Sequence, residues 1–222
     1  MVLPDHAIVP IQNYASLPSS ISRDSARRKL RIPSDASVML IFGAIRTEAE
    51  KRLILDTFKG LPIRKKVLLA SSWREGPSPK RPAILNRVLQ SLRRAALRRR
   101  QDLRFNYGYV NDADAQLCLN SAGVLFVSRL RLLNSANVSL GMTFGRVTVG
   151  PDAGNTGEIL RRTGNPVFDP ARPETAVTAV TEGFRLASEG TVGRANRSFA
   201  VSEWSVERCA SRYVDFFRYV SR

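Results

Sequence analysis

The chain has 222 residues, 43% of them hydrophobic, enough for one domain with a substantial core and too apolar for a disordered polypeptide. Its formal charge of +16 restricts charged partners to anions, whether nucleotides, nucleic acid or an acidic membrane face. A single histidine, His6, and two cysteines, Cys118 and Cys209, without metal or redox spacing exclude a histidine-based triad and a zinc site. No apolar run reaches the roughly 20 residues of a membrane span, and the first residues do not read as a signal peptide. Each cysteine falls in an apolar helical pattern, the mark of a buried free thiol, as in a reducing compartment.

In chain order, the first 20 residues are Pro- and Ser-rich and have no helical period. Ser22 is placed to cap a short basic helix from Arg23 to Leu30, which Ile32-Pro33 ends. Val38 to Phe42 (VMLIF) is a continuous apolar run, the pattern of a strand buried on both faces of a parallel sheet. Gly43 turns it into a helix over 47–58 with Leu53, Ile54 and Phe58 inward, and Arg46 sits at that junction. A guanidinium there can fork onto phosphate oxygens or simply cap the strand end. Lys66 to Ala70 is the next strand, 71–82 a long loop with Gly76 and three prolines, and 83–100 a helix. That helix carries Arg93-Arg94 and Arg98-Arg99-Arg100, a second basic group beside Arg64-Lys65-Lys66. It reads as a solvated face, since no aromatic residues interleave it as in a single-strand binder.

Leu103 to Phe105 begins another strand, and after the Gly108-Tyr109-Val110-Asn111 turn Asp112 is placed to cap a helix through Ser121. Gly123 to Val127 (GVLFV) is a further buried strand. Asn134 and Ser135 are N-cap types before the apolar positions Val138, Leu140, Met142 and Phe144; Gly145 stops that helix, and Val147 to Val149 form a β-branched run. Pro151, Asp152, Gly154 and Asn155 turn the chain into a helix beginning at Thr156 to Leu160. Pro166-Val167-Phe168 is a short last strand, 173–186 a helix, and 203–219 an amphipathic tail with Trp204, Tyr213, Phe216 and Phe217 on its apolar side. Trp204, Phe216 and Phe217 are more apolar surface than a free tail helix needs, so this helix and the Pro-rich start are expected to form the side that meets another domain or a second copy.

Strand and helix alternate at least five times, which predicts an α/β fold: an open parallel Rossmann-like sheet with helices on both faces. Such sheets bind ligands at the carboxyl ends of their strands, where Arg46, Val110, Asn134 and Gly154 fall. Two helix N-termini, after Asn134-Ser135 and after Gly154, offer free N–H groups and partial positive charge at neighbouring strand ends, which suits a phosphate. The same pattern also fits ordinary βα units with good caps.

The run LNSANVSLGMTFGRVTVGPDAGNTGEIL resembles the donor-binding segment of retaining, nucleotide-sugar-dependent glycosyltransferases of the GT-B fold, family 4 type. There an NSG turn, an FGRPV helix end and a P-x-x-G-x-x-E turn follow in this order, matched here by Asn134-Ser135-Ala136, Phe144-Gly145-Arg146-Val147 and Pro151 through Glu158. Asn13-Tyr14 and Ser22 through Pro33 resemble the family's link between its two halves, and the similarity runs from about Val9 to Tyr219.

The resemblance implies half of a GT-B fold, with the N-terminal acceptor-binding half absent from this chain. Residues 1–34 are then the extended opening segment and short helix, 35–188 the Rossmann-like nucleotide-sugar-binding domain, and 189–222 a helical tail. It implies a basic catalytic residue at Arg46, after Phe42-Gly43-Ala44-Ile45, and diphosphate binding by Gly43, Arg46, Asn134, Ser135 and Ala136. Glu158 would take sugar or ribose hydroxyls, and the loop at Tyr109 and Val110 would lie near the nucleobase. Retaining transfer in this family asks mainly for positive charge and N–H donors at the departing diphosphate; no metal and no other cofactor is implied. The implied partners are a nucleotide-diphosphate sugar and an acceptor saccharide or lipid-linked saccharide held by another domain or subunit. The implied setting is polysaccharide biosynthesis in the cytoplasm, at or near the inner face of the membrane. A homo-oligomer and peripheral membrane association are compatible with the composition, whereas nucleic acid has no motif behind it.

The departures are specific. In the family's R-P-x-K-G, a lysine supports the arginine, but Ala49 holds that position here, and Lys51 would reach in only if its helix shifted. The Glu-x7-Glu pair is replaced by Leu132 and Leu140, and Val147 stands for the usual proline. The expected function is therefore a donor-binding glycosyltransferase half that transfers sugar poorly as an isolated chain. The rivals are a catalytically degenerate nucleotide- or protein-binding module and a basic nucleic-acid binder on a Rossmann-like scaffold, which a steep salt dependence would reveal.

Overall fold

The computed structural model describes residues 21–73, 102–105 and 110–221. The opening segment with His6 and Asn13-Tyr14, the expected helix over 83–100 with its arginine group, and Tyr109 lie outside the described residues.

Six parallel strands form one open sheet: β1 Ser37–Ile41, β2 Lys66–Ala70, β3 Leu103–Phe105, β4 Val124–Phe126, β5 Val147–Pro151 and β6 Val167–Phe168, in the order β3-β2-β1-β4-β5-β6. β1 is central, with Met39 opposite both Leu68 of β2 and Val124 of β4. The helices are α1 Arg23–Lys29, α2 Glu48–Gly60, α3 Asp112–Ser121, α4 Ala136–Thr143, α5 Gly154–Arg162, α6 Thr175–Glu189, α7 Thr191–Glu203 and α8 Val206–Val220.

The expected α/β class therefore holds, for the expected reason. Alternate residues of β1, β2 and β4 enter two separate cores. Met39, Ile41, Leu68, Val124 and Phe126 pack under α2 and α6, which contribute Leu53, Ile54, Phe58, Ala176 and Val180. Val38, Leu40, Val67, Leu69 and Leu125 pack under α3 and α4 with Leu119, Leu140 and Phe144. Strands buried on both faces need apolar residues at every position, which is why they read as unbroken runs.

Several ends differ from the sequence reading. Asn111, not Asp112, caps α3, its side chain accepting from the Asp114 N–H at 2.8 Å. Ser22 does cap α1, accepting from the Ser25 N–H at 3.2 Å. α5 starts at Gly154, two residues before the expected Thr156.

The tail is two helices rather than one. α7 was not anticipated; it is docked by a buried amide pair. Asn165 Oδ1 accepts from the Thr148 N–H at 2.9 Å, where the two-residue β6 leaves β5 without a backbone partner. Asn165 Nδ2 donates to Asn196 Oδ1 at 2.7 Å, and Asn196 Nδ2 returns a bond to the Arg146 carbonyl at 2.8 Å. Buried amides earn their place when every polar atom is matched. Trp204 ends α7 only 4% exposed, edge-on to Phe199, in a third core with Val138, Met142 and Leu160. The expectation that it faces a partner is thus corrected. Phe216 is half-buried and Phe217 63% exposed on α8, so the exposed aromatics of the tail lie on that last helix.

α4 lies on the sheet through Gly141. A Cβ there would stand 2.5 Å from Leu125 Cδ2 and 2.6 Å from Thr148 Oγ1, both in residues with no exposure. Gly141→Ala gains up to about 1 kcal/mol of helix propensity but overpacks a closed contact, at a cost of about 1–3 kcal/mol. A lowered urea midpoint with unchanged slope is the expected outcome. Cys118 and Cys209 are both free and buried, and burial, aided by Asp114, pushes the Cys118 thiol up to about 11. Neither should react with Ellman's reagent in the native protein, and both should react once it is unfolded in denaturant.

Candidate functional site

β1 and β4 are neighbours, but their following helices cover opposite faces of the sheet, α2 one and α4 the other. A crevice therefore opens beyond their carboxyl ends, the usual ligand position in such sheets. The β1 side begins with Gly43, at φ 81°, a conformation glycine adopts without a Cβ penalty. Its N–H donates to Ser71 Oγ at 3.0 Å, tying the turn to the end of β2.

The β4 side supplies α4. Asn137 Nδ2 donates to the Phe42 carbonyl at 2.7 Å, fixing the first turn of α4 against the end of β1. Ser135 occupies the N-cap in extended geometry, yet its hydroxyl makes no capping bond, and no acidic residue lies in the first turn. Asn134 bonds locally instead, Oδ1 accepting from the Ser135 N–H at 2.8 Å. The expected side-chain cap is thus absent, which leaves the N–H groups at Ala136 and Asn137 without a side-chain acceptor. The start of α5 is held beside this loop: the Asn155 N–H donates to the Leu133 carbonyl at 2.9 Å, and a Cβ on Gly154 would lie 2.6 Å from that oxygen.

Arg46 precedes α2, whose N-cap Thr47 accepts from the Glu50 N–H at 3.1 Å. Glu50 Oε2 accepts from the Arg46 N–H at 2.7 Å, a reciprocal cap readable as the T-x-x-E spacing of Thr47 and Glu50. Glu50 is only 6% exposed, and a buried carboxylate needs a counter-charge. Arg129, on the loop after β4, provides it: Nη1 lies 3.0 Å from both Glu50 oxygens, and Nη2 donates to the Ala44 carbonyl at 2.7 Å. The Arg46 guanidinium is exposed and makes no ion pair among the described residues.

The structure thus sets Phe42 and Gly43 against Asn137, the residue after Asn134-Ser135-Ala136, with Arg46 exposed three residues farther along the Gly43 loop. Glu158 is exposed on α5 beyond its first turn, and Val110 is half-buried after β3; no hydrogen bond joins either to the cluster among the described residues. Lys51 is buried and held by Glu48 at 2.6 Å, so it does not replace the lysine missing at Ala49. Asn137, Glu50, Arg129 and Ser71 were not singled out in the sequence. Glu50 had a spacing signal; Arg129 and Asn137 act across 79 and 95 residues, a separation with no local signature. Among the described residues no cluster of three or more His, Cys, Asp or Glu could hold a metal ion, and no helix is long and apolar enough to cross a membrane.

No protein-family model matches the chain, and no curated protein matches it. Solved structures do. Sucrose-phosphate synthase from Thermosynechococcus elongatus is similar at TM-score 0.63 and 16% identity, over 92% of this chain and 52% of that one. Anabaena HepE in complex with UDP-glucose gives TM-score 0.64 at 12% identity, over 90% and 52%. The C-terminal domain of the group 1 glycosyl transferase LpcC from Francisella tularensis gives 0.61 at 13%, over 88% of this chain and 99% of that domain. The chain spans about half the length of the first two, and at these identities the likeness is one of fold. That fold, six parallel strands in one open sheet with helices on both faces, is Rossmann-like α/β, and the solved structures it resembles are halves of GT-B glycosyltransferases.

Proposed function

We propose that the crevice at the ends of β1 and β4 binds a nucleotide-diphosphate sugar, as the donor-binding half of a retaining glycosyltransferase. The observation that carries this is the Asn137–Phe42 bond, because it sets the uncapped start of α4 beside the Gly43–Arg46 turn. Backbone donors and an exposed guanidinium then border one crevice. The UDP-glucose and UDP bound in solved complexes of HepE support the same class of ligand.

In this reading the diphosphate lies between Arg46 and Asn134-Ser135-Ala136. Charge on its leaving oxygen grows as the bond to the sugar breaks, so contacts to it strengthen toward the transition state. Gly43 allows close backbone approach, Glu158 takes sugar or ribose hydroxyls, and the loop at Tyr109 and Val110 flanks the base. Residues 35–188 form the donor domain, and the acceptor, a saccharide or lipid-linked saccharide, comes from another domain or subunit. A second reading, a nucleotide-binding module without transfer, is favoured by one observation: Ala49 supplies no cation and Lys51 is committed to Glu48.

Calorimetric titration with a panel of nucleoside diphosphates and their sugars tests binding. Arg46→Ala should weaken it by roughly 1.5–3 kcal/mol, about ten- to a hundredfold, while Lys65→Ala, at the opposite end of β2, should change it little. Equal losses from the two variants would reject the site. Slow release of free sugar from the donor favours the transferase, and binding without turnover the module.

Asn137→Ala should also weaken nucleotide binding, through loss of the bond to the Phe42 carbonyl, and lower stability by about 1 kcal/mol. An unchanged dissociation constant would mean that this contact does not set the site.

A further inference from the structure

The amino end of the sheet carries a second concave feature. A cavity of about 260 Å³ opens where β4 and β5 begin, beside Gly123 and Val147. β5 runs five residues, so the cavity lies about 13 Å from the crevice end of that strand. Four arginines line it from three parts of the chain: Arg23 opens α1, Arg146 precedes β5, and Arg194 and Arg197 belong to α7. Among the described residues no Asp or Glu lines it.

Arg146 is half-buried and donates Nε to the Phe144 carbonyl at 2.8 Å and Nη1 to the Ala122 carbonyl at 3.0 Å. Both acceptors are neutral, so they orient the guanidinium without balancing its charge. Burial first, then Arg23, Arg197 and Arg27, push its pKa down to about 10, leaving it charged at neutral pH against the repulsion of its neighbours. Arg27 stands behind it, 2% exposed, with Nη2 lacking a hydrogen-bond partner. α7 begins at the same cavity. Its N-cap is Gly190, without a side-chain bond, and no acidic residue lies in its first turn. The partial positive charge of that helix end therefore adds to the arginines.

We propose that this cavity binds the phosphoryl group of a phosphate monoester. Guanidiniums arriving from three directions suit the three free oxygens of a tetrahedral dianion better than the two of a planar carboxylate. The volume is at the small end of ligand pockets and admits a phosphorylated head group rather than a polymer. A free phosphorylated metabolite and the head group of phosphatidic acid share this chemistry.

The test uses the full chain with Arg46→Ala, which removes the arginine of the opposite end, and compares it with the same chain also carrying Arg23→Gln and Arg194→Gln. Both added positions are exposed, and neither side chain makes a hydrogen bond or ion pair among the described residues, so the fold is retained, as a thermal melt will verify. The probes are glycerol 3-phosphate by calorimetry and sedimentation with phosphatidylcholine vesicles, with or without phosphatidic acid. At low salt the added pair should weaken binding at least about tenfold, since two charge-assisted contacts are lost. Loss with glycerol 3-phosphate assigns a soluble ligand, and loss only with phosphatidic acid vesicles assigns a lipid head group. Absence of binding to either probe in the Arg46→Ala chain, or equal binding with and without the added pair, would overturn the proposal.

Discussion

A parallel strand that feeds its helix to one face, beside a strand that feeds its helix to the other, leaves a gap that neither helix covers. In this protein that gap lies between β1 and β4, and beside the Arg129 contacts to Glu50 and the Ala44 carbonyl one bond spans it from Asn137 Nδ2 to the Phe42 carbonyl. The bond satisfies a carbonyl just past the end of β1 and at the same time sets how close the first turn of α4 can come. Two further contacts hold the same region: the Gly43 turn is held from the other side by Ser71, and the loop before α4 rests against the start of α5.

Charge is arranged around this gap with little waste. Glu50 would be costly where it is buried, but its oxygens accept from the Arg46 backbone and from Arg129, which also ties down the Ala44 carbonyl. Loop 43–46 is thereby clamped through its backbone while the Arg46 side chain is left exposed. A buried carboxylate thus shapes the loop, and Arg129 supplies the compensating charge. At the other end of the sheet the four arginines that line the cavity make no ion pair with a carboxylate among the described residues.

The helices after β6 show how polar groups inside a core can direct packing. The short β6 leaves the Thr148 N–H without a strand partner, and the Asn165–Asn196 pair fills that place and anchors α7. With α7 in position, Trp204 closes a third core over Val138, Met142 and Leu160. α8 shares only Cys209 with that core and keeps Phe217, Tyr219 and Val220 in solvent.

The sequence by itself determined the fold class, because strands buried on both faces must be apolar at every position and so announce themselves as runs such as VMLIF and GVLFV. It also located the turns at the carboxyl ends of the strands, since glycines and cap residues mark the ends of parallel strands. Whether those turns form one site was decided only by tertiary structure. Asn134 and Ser135 have the right chemistry to cap α4, yet Ser135 leaves the helix end open while Asn134 bonds to its own neighbour. Arg129 and Asn137 look like ordinary loop and helix residues until the fold sets them against Glu50 and Phe42. Trp204 reads as one stripe of an amphipathic tail but is buried, because α7 ends beneath it. Periodicity reports which face of an element is apolar, and capping types report where it ends. Neither encodes which distant atom will meet a given donor, and in this protein those meetings assemble the crevice.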